Sequence, residues 1–171
     1  MAAEISRPSV GLSDGLAEFV NRAYAISEAD LWREGKLRTT AAEMRERIAN
    51  GEIAVATDGD RLLGCVRVQE LEPGIAELGL LAVDPDQQGN GVGGALVDFA
   101  ERHARDRGAA AMRLQVLVPS DRPHAGKRQL ESWYERRGYR AIGRRRFDDP
   151  LLTRPCEFVI YERPLSSTAH L

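Results

Sequence analysis

Cysteine is scarce in this chain. Only Cys65 and Cys156 occur among 171 residues, far apart and each inside an apolar segment. Two such thiols build neither a disulfide framework nor a zinc set. With three histidines and no Cys/His cluster, no metal site is expected. Reduced core thiols fit a cytoplasmic protein. Charge of one sign is also missing: 24 Lys and Arg nearly cancel 26 Asp and Glu, for a net charge of −2. That balance argues against nucleic-acid or anionic-membrane partners. The one short basic run, Arg144-Arg145-Arg146, has no aromatic partners or second basic cluster and reads as a solvated face. No stretch approaches the roughly 20 apolar residues of a membrane span. The opening Met1-Ala2-Ala3-Glu4-Ile5-Ser6-Arg7 has no apolar core behind a basic start, so it does not read as a secretory signal. There is no internal repeat and no linker. What remains is a 43% hydrophobic chain long enough for one packed domain over residues 1–165, with residues 166–171 as a loose tail.

Hydrophobic spacing and turn residues divide that domain. A short strand is expected over 4–9. Leu16, Phe19, Val20, Ala23 and Tyr24 then recur at helical spacing behind Ser13 or Asp14 as N-cap. A second helix starts at Thr40, with Glu43 at capping-box spacing, and stops at Asn50-Gly51. Strands are expected over 52–57, 61–70 and 75–83, joined by Asp58-Gly59 and Pro73-Gly74 as an antiparallel meander. A helix follows the glycines near 91 and ends at Gly108. A strand over 111–118 precedes a helix carrying Leu130, Trp133 and Tyr134 that stops at Gly138. Strands over 139–147 and 156–162 close the domain. The order β-α-α-β-β-β-α-β-α-β-β predicts a mixed α/β (α+β) fold.

The chemistry is concentrated in Leu81-Ala82-Val83-Asp84-Pro85-Asp86-Gln87-Gln88-Gly89-Asn90-Gly91-Val92-Gly93-Gly94. Glycines alternate there just as a helix begins. Glycine admits positive φ and close ligand approach, and the free amides of a helix start attract an anion such as a pyrophosphate. A plain connector has little reason to accept glycines inside a helix, at about 1 kcal/mol each against alanine. The segment literally satisfies the dinucleotide fingerprint G-x-G-x-x-G. However, an antiparallel meander precedes it, and the following strand, Met112 to Val118, lacks the acid that a βαβ unit would place there.

Gln88-Gly89-Asn90-Gly91-Val92-Gly93 resembles the Q/R-x-x-G-x-G/A signature of the GCN5-related N-acetyltransferase (GNAT) family, flanked by a similar Leu81-Ala82-Val83-Asp84-Pro85 and Ala95-Leu96. Trp133-Tyr134-Glu135-Arg136-Arg137-Gly138-Tyr139 is similar to a second family segment. Phe158 to Leu165 resembles its closing strand. The resemblance implies a mixed, mostly antiparallel sheet with helices on both faces, acetyl-CoA as acyl donor without a metal, and a small-molecule or peptide amine as acceptor. A homodimer is compatible with it. It further implies that strand 78–83 splays from its neighbour. The backbone of Leu81, Ala82 and Val83 would then meet the pantetheine arm, and residues 88–94 the pyrophosphate. Lys127 stands where the family often has a coenzyme-contacting asparagine.

Acyl transfer also needs a base for the amine and a proton for the leaving thiolate. Strict strand alternation puts Ile75, Glu77, Gly79, Leu81 and Val83 on one face, so Glu77 is the candidate base, in an apolar neighbourhood and acting through water; the bland alternative is a wet-face carboxylate. Tyr134 is the candidate acid, which the family tyrosine commonly is; alternatively it only packs with Leu130 and Trp133. In such folds the first two helices shape the acceptor pocket, which nominates Tyr24, Trp32 and Arg38. His103 reads as a core histidine and His124 as a loop residue within reach of substrate or phosphate. A non-catalytic acyl-CoA binding or sensing domain is the rival reading, and it would need neither Glu77 nor Tyr134.

Overall fold

Turn chemistry sets the first half of the sheet. The computed structural model describes residues 3–165; the expected tail, 166–171, lies outside the described residues. After β1 (Glu4–Ser6) come α1 (Ser13–Ser27) and α2 (Ala41–Ala49), then β2 (Ile53–Asp58), β3 (Arg61–Glu72) and β4 (Ile75–Val83). Gly59 and Gly74 take positive φ, +58° and +83°, at the two reversals that make these strands a meander. Thr40 caps α2 as expected, its Oγ1 accepting from the Glu43 amide at 3.2 Å. β1 stops short of residue 9; Pro8 has no amide to donate to a ladder, and residues 10–12 form a 3-10 turn. The second half comprises α3 (Val92–Asp106), β5 (Ala111–Pro119), α4 (Ala125–Arg136), β6 (Arg140–Phe147) and β7 (Cys156–Pro164).

The seven strands lie in the order β1-β2-β3-β4-β5-β7-β6, antiparallel except for β4 against β5. Leu16, Phe19 and Val20 of α1 and Met44 and Ile48 of α2 cover one face, over Ile53, Val55, Cys65, Leu80 and Ala82. Leu96, Val97, Ala100 and Ala104 of α3 cover the other, with Tyr134 of α4, over Ala56, Val66, Ala76, Leu78 and Leu114. Helices thus flank a mixed, mostly antiparallel sheet on both faces. A smaller cluster of Leu31, Leu117 and Cys156, with Trp32, Phe147 and Phe158, packs the segment after α1 against β5 and β7.

Two irregularities of β4 position the site. The parallel pairing with β5 covers only Ile75↔Ala111, Ala76↔Met112 and Glu77↔Arg113, so residues 78–83 have no β5 partner. Against β3, Cys65 faces Ala82 and Arg67 faces Gly79, which leaves Val66 opposite both Leu80 and Leu81. This is a β-bulge, and Leu80 carries it at φ +47°, the one positive φ outside glycine among the described residues. Backbone held there costs about 1–3 kcal/mol and is characteristic of functional sites. The Cys65 thiol donates to the Leu80 carbonyl at 3.5 Å. The bulge corrects the strict alternation expected from sequence. Leu80 and Ala82 join the core under α1 and α2, whereas Leu81 and Val83 pack on the opposite core with Ala76 and Leu78. Glu77 and Gly79 therefore share a side with Leu80, not with Leu81 and Val83.

Candidate active site

Asp84-Pro85 ends β4, the Asp84 carboxylate accepting from the Asp86 amide at 3.0 Å, and a 3-10 turn over 85–87 leads into the glycines. Gly89 and Gly91 sit at φ +84° and +82°, and a Cβ at either would meet nothing within 4 Å. Gly91 is the N-cap of α3, and the Ala95 amide is the first to find an acceptor, the Gly91 carbonyl at 3.0 Å. The amides of Gly89, Gly91, Val92, Gly93 and Gly94 have no backbone acceptor among the described residues. Gln88, Gly89, Asn90 and Gly91 are exposed. Unpartnered donors, open space and the positive end of a helix dipole together make a cradle that fits a pyrophosphate. The cradle opens beside the stretch of β4 that β5 leaves unpaired.

On the α1–α2 side of that stretch lies a cavity of about 270 Å³, lined by Glu77, Gly79 and Leu80 of β4 together with Arg38, Arg47 and Arg67. The Glu77 carboxylate accepts from Gln69 Nε2 at 3.1 Å and Gln115 Nε2 at 3.4 Å. Each amide is oriented by an arginine, which can only donate: Arg67 Nη2 to Gln69 Oε1 at 2.9 Å, and Arg145 Nη2 to Gln115 Oε1 at 3.0 Å. The surroundings of Glu77 are polar rather than the apolar neighbourhood expected from sequence.

Tyr134 is 5% exposed and packs edge-on to Trp133 and Tyr139, at centroid distances of 4.9 and 5.7 Å. Its hydroxyl makes no hydrogen bond among the described residues, yet it is not one of the sealed-off polar atoms. Burial, reinforced by the Tyr24 phenol, pushes its pKa up. Tyr24, from α1, donates to the Leu81 carbonyl at 3.2 Å, and burial lifts its phenol to about 12 against the pull of Arg38. A phenol from each face of the sheet thus approaches the unpaired strand, and both stay protonated at neutral pH.

Tyr24, Trp32 and Arg38 line one cavity of about 360 Å³, which shares Trp32, Lys36 and Arg38 with the cavity at Glu77. Arg38 stacks its guanidinium over the Tyr24 ring at 4.6 Å. Lys127 differs from its expected role. Its ammonium is buried against Glu28 at 2.5 Å, and Glu28 also accepts from Trp32 Nε1 at 3.0 Å. Taken up in this pair, the ammonium is not free to meet a coenzyme. His124 caps α4, its Nδ1 accepting from the Lys127 amide at 3.1 Å while Nε2 faces Asp30. His103 is half-buried, stacks on Phe99 and meets Arg7 through Nδ1. Both cysteines are free and buried, and burial raises the Cys65 thiol to about 12, which removes it as a nucleophile. No cluster suited to a metal occurs among the described residues. Sequence reasoning missed Gln69, Gln115, Arg47 and Arg67. The tight Pro73-Gly74 turn, which pairs Glu72 with Ile75, would by itself have set Glu70 opposite Glu77; the irregularity at Leu71 puts Gln69 there instead.

Residues 49–141 match the family described as acetyltransferase (GNAT) domain. Mycothiol acetyltransferase of Geodermatophilus obscurus is 36% identical over 125 residues, covering 69% of this chain; the chain spans 38% of that curated relative's length. Among solved structures, PaiA N-acetyltransferase from Thermoplasma acidophilum in complex with coenzyme A superposes with a TM-score of 0.75 at 18% identity, covering 96% of this chain and 99% of that one. YncA from Salmonella typhimurium with its cofactor acetyl-CoA gives 0.73 at 15% identity, covering 99% and 98%. At those identities the structural likeness speaks to the fold alone, and the sequence match supplies the rest: this chain belongs to the GNAT family of acetyltransferases.

Proposed function

We propose that this chain transfers the acetyl group of acetyl-CoA to an amine, small or peptidic, by direct attack with both substrates bound. The observation that carries the reading is the set of unpartnered amides of Gly89 and Gly91 to Gly94 opening beside an unpaired, bulged β4. Acetyl-CoA supplies an activated acetyl thioester. The amides of residues 88–94 hold its pyrophosphate. The free edge of Leu78–Val83 takes the extended arm, and an N–H near Leu81, Ala82 or Val83 polarises the acyl oxygen. Such positioning contributes several kcal/mol of barrier lowering, since effective molarities are large. The amine nitrogen bonds to the acyl carbon as the carbon–sulfur bond breaks. Glu77 takes the amine proton through a water, and Tyr134 gives its own proton to the departing sulfur. Tyr24, Trp32 and Arg38 line the acceptor side. The two free thiols are in keeping with the reducing cytoplasm.

Glu77 facing the cavity and the open hydroxyl of Tyr134 support an enzyme over a non-catalytic acyl-CoA binder. The test is a panel of amines with acetyl-CoA and a free-thiol readout. Amine-dependent thiol release is expected. Tight acetyl-CoA binding with no amine-dependent release would overturn the enzymatic reading in favour of the binding module.

A further inference from the structure

The cavity at Glu77 is unevenly charged. One carboxylate, Glu77, shares it with Lys36, Arg38, Arg47 and Arg67. Lys36 is matched by Asp149 at 2.8 Å. Arg47 reaches Glu43 on the exposed side of its own helix, and Arg67 reaches Glu52, so neither is neutralised within the cavity. Arg38 has no carboxylate partner among the described residues; it is held by the Tyr24 ring and by its backbone amide, which donates to Asn21 Oδ1 at 2.8 Å. Arg47 is held below the usual arginine range, first by burial and next by the charge of Arg67, which places these cations close together.

We propose that the acceptor amine also carries a carboxylate, seated on Arg38, Arg47 and Arg67 while its amine end lies at Glu77 and Gly79. This rests on the acetyltransferase reading and specifies its substrate class. Guanidiniums suit a carboxylate because they present paired donors in a fixed fork. The cavity of about 270 Å³ lies at the small end for ligand pockets, which suits an amino-acid-sized molecule. Gly79, whose Cβ position meets nothing within 4 Å, leaves room for the amine beside the base. The charges order the substrate: carboxylate toward α2 and β3, amine toward the unpaired edge of β4 where the thioester lies.

The experiment compares free amino acids with their carboxamides, which keep the amine and shape but remove the negative charge. Acetyl-CoA binding is measured separately by calorimetry. The acids are expected to exceed their carboxamides in kcat/KM by about tenfold or more. In Arg38→Gln and Arg47→Gln that ratio should fall toward one while acetyl-CoA affinity is kept. Arg38→Gln retains its backbone bond to Asn21, and the thermal midpoint verifies folding. Carboxamides used as well as the acids, no amino acid turned over while acetyl-CoA binds, or an unchanged ratio in both arginine variants would overturn the inference. A protein that binds no acetyl-CoA would instead overturn the reading beneath it.

Discussion

Tyr24 donates its hydroxyl to the Leu81 carbonyl at 3.2 Å, tying α1 to the bulged stretch of β4 that has no β5 partner. The bond holds the strand edge open from one side of the sheet. Tyr24→Phe keeps the ring under Arg38 and removes only this donor. A loss of about 1 kcal/mol is expected, which lowers the thermal midpoint by about 2–4 °C for a domain of this size. The KM for acetyl-CoA should rise, because the edge proposed to receive the coenzyme arm loses its tether. An unchanged midpoint and KM would show the bond to be incidental.

Tyr134 offers a sharper separation. Its ring packs between Trp133 and Tyr139, while its hydroxyl has no partner. Tyr134→Phe should therefore leave stability nearly unchanged and reduce kcat about 100-fold. The pH dependence follows from the raised phenols. A group whose pKa is pushed up keeps its proton to higher pH, so an acid here stays active beyond the ordinary phenol value of about 10. The wild-type kcat profile should show no basic limb below that pH. A fall near pH 8 to 9, well under about 10, would assign the titrating acid to another group.

The glycine loop was legible because its chemistry is local: alternating glycines before an amphipathic helix need no tertiary information. The same holds for Thr40 as a cap and for the turns at Gly59 and Gly74. The phase of β4 was not legible. Leu80-Leu81-Ala82-Val83 is apolar throughout and carries no phase of its own, and only the pairing of Val66 against Leu80 and Leu81 reverses the facing of this second half. The partners of Glu77 were not legible either. Gln69 faces Glu77 only because an irregularity at Leu71 shifts the register that the Pro73-Gly74 turn would set, and Gln115 depends on the β4–β5 crossover, whose register no local signal encodes. Lys127 was assigned by position in a family pattern, and the acid that claims it, Glu28, lies at the far end of another helix.

The coenzyme cradle is best tested at Gly93. Gly91 sits at φ +82°, so any side chain there strains the backbone as well as blocking the ligand. Gly93 has ordinary φ, and its Cβ would make only normal contacts, 3.6 Å to Val83 and 3.9 Å to Trp133. Gly93→Glu should fold with a nearly native midpoint and place a negative charge at the helix start. Calorimetry should then show acetyl-CoA affinity reduced about 100-fold or more, since like charges disfavour an anion at that dipole. Retained affinity would move the pyrophosphate elsewhere.

The Glu28–Lys127 pair is expected to serve stability rather than coenzyme binding. Both are nearly sealed from solvent, at 4% and 8% exposure. Lys127→Met leaves Glu28 with only Trp32 Nε1, and breaking such a pair costs about 3–5 kcal/mol. The thermal midpoint should drop by about 10 °C while acetyl-CoA affinity stays the same. Adding Glu28→Met should recover much of the loss, because an apolar pair of similar volume is often neutral. The opposite pattern, native stability with lost coenzyme binding, would return Lys127 to the coenzyme.

Glu77 calls for a test that accounts for its hydrogen-bond chain. Gln69 and Gln115 both present Nε2 to the carboxylate, and each is fixed in that orientation by an arginine. A glutamine at 77 has one oxygen, so one neighbouring amide must flip and turn its own Nε2 toward Arg67 or Arg145. Glu77→Gln therefore removes the proposed base and disturbs its supports together. Gln69→Leu and Gln115→Leu separate the two effects, because they loosen the carboxylate without deleting it. At neutral pH, Glu77→Gln should lower kcat/KM about 100-fold. Its rate should climb with pH toward the lysine-like amine value of about 10.4, as free amine becomes abundant and no base is required. Both leucine variants should fall by far less and keep the wild-type profile. If Glu77→Gln shows the wild-type profile, the amine binds already neutral and Glu77 only orders the cavity.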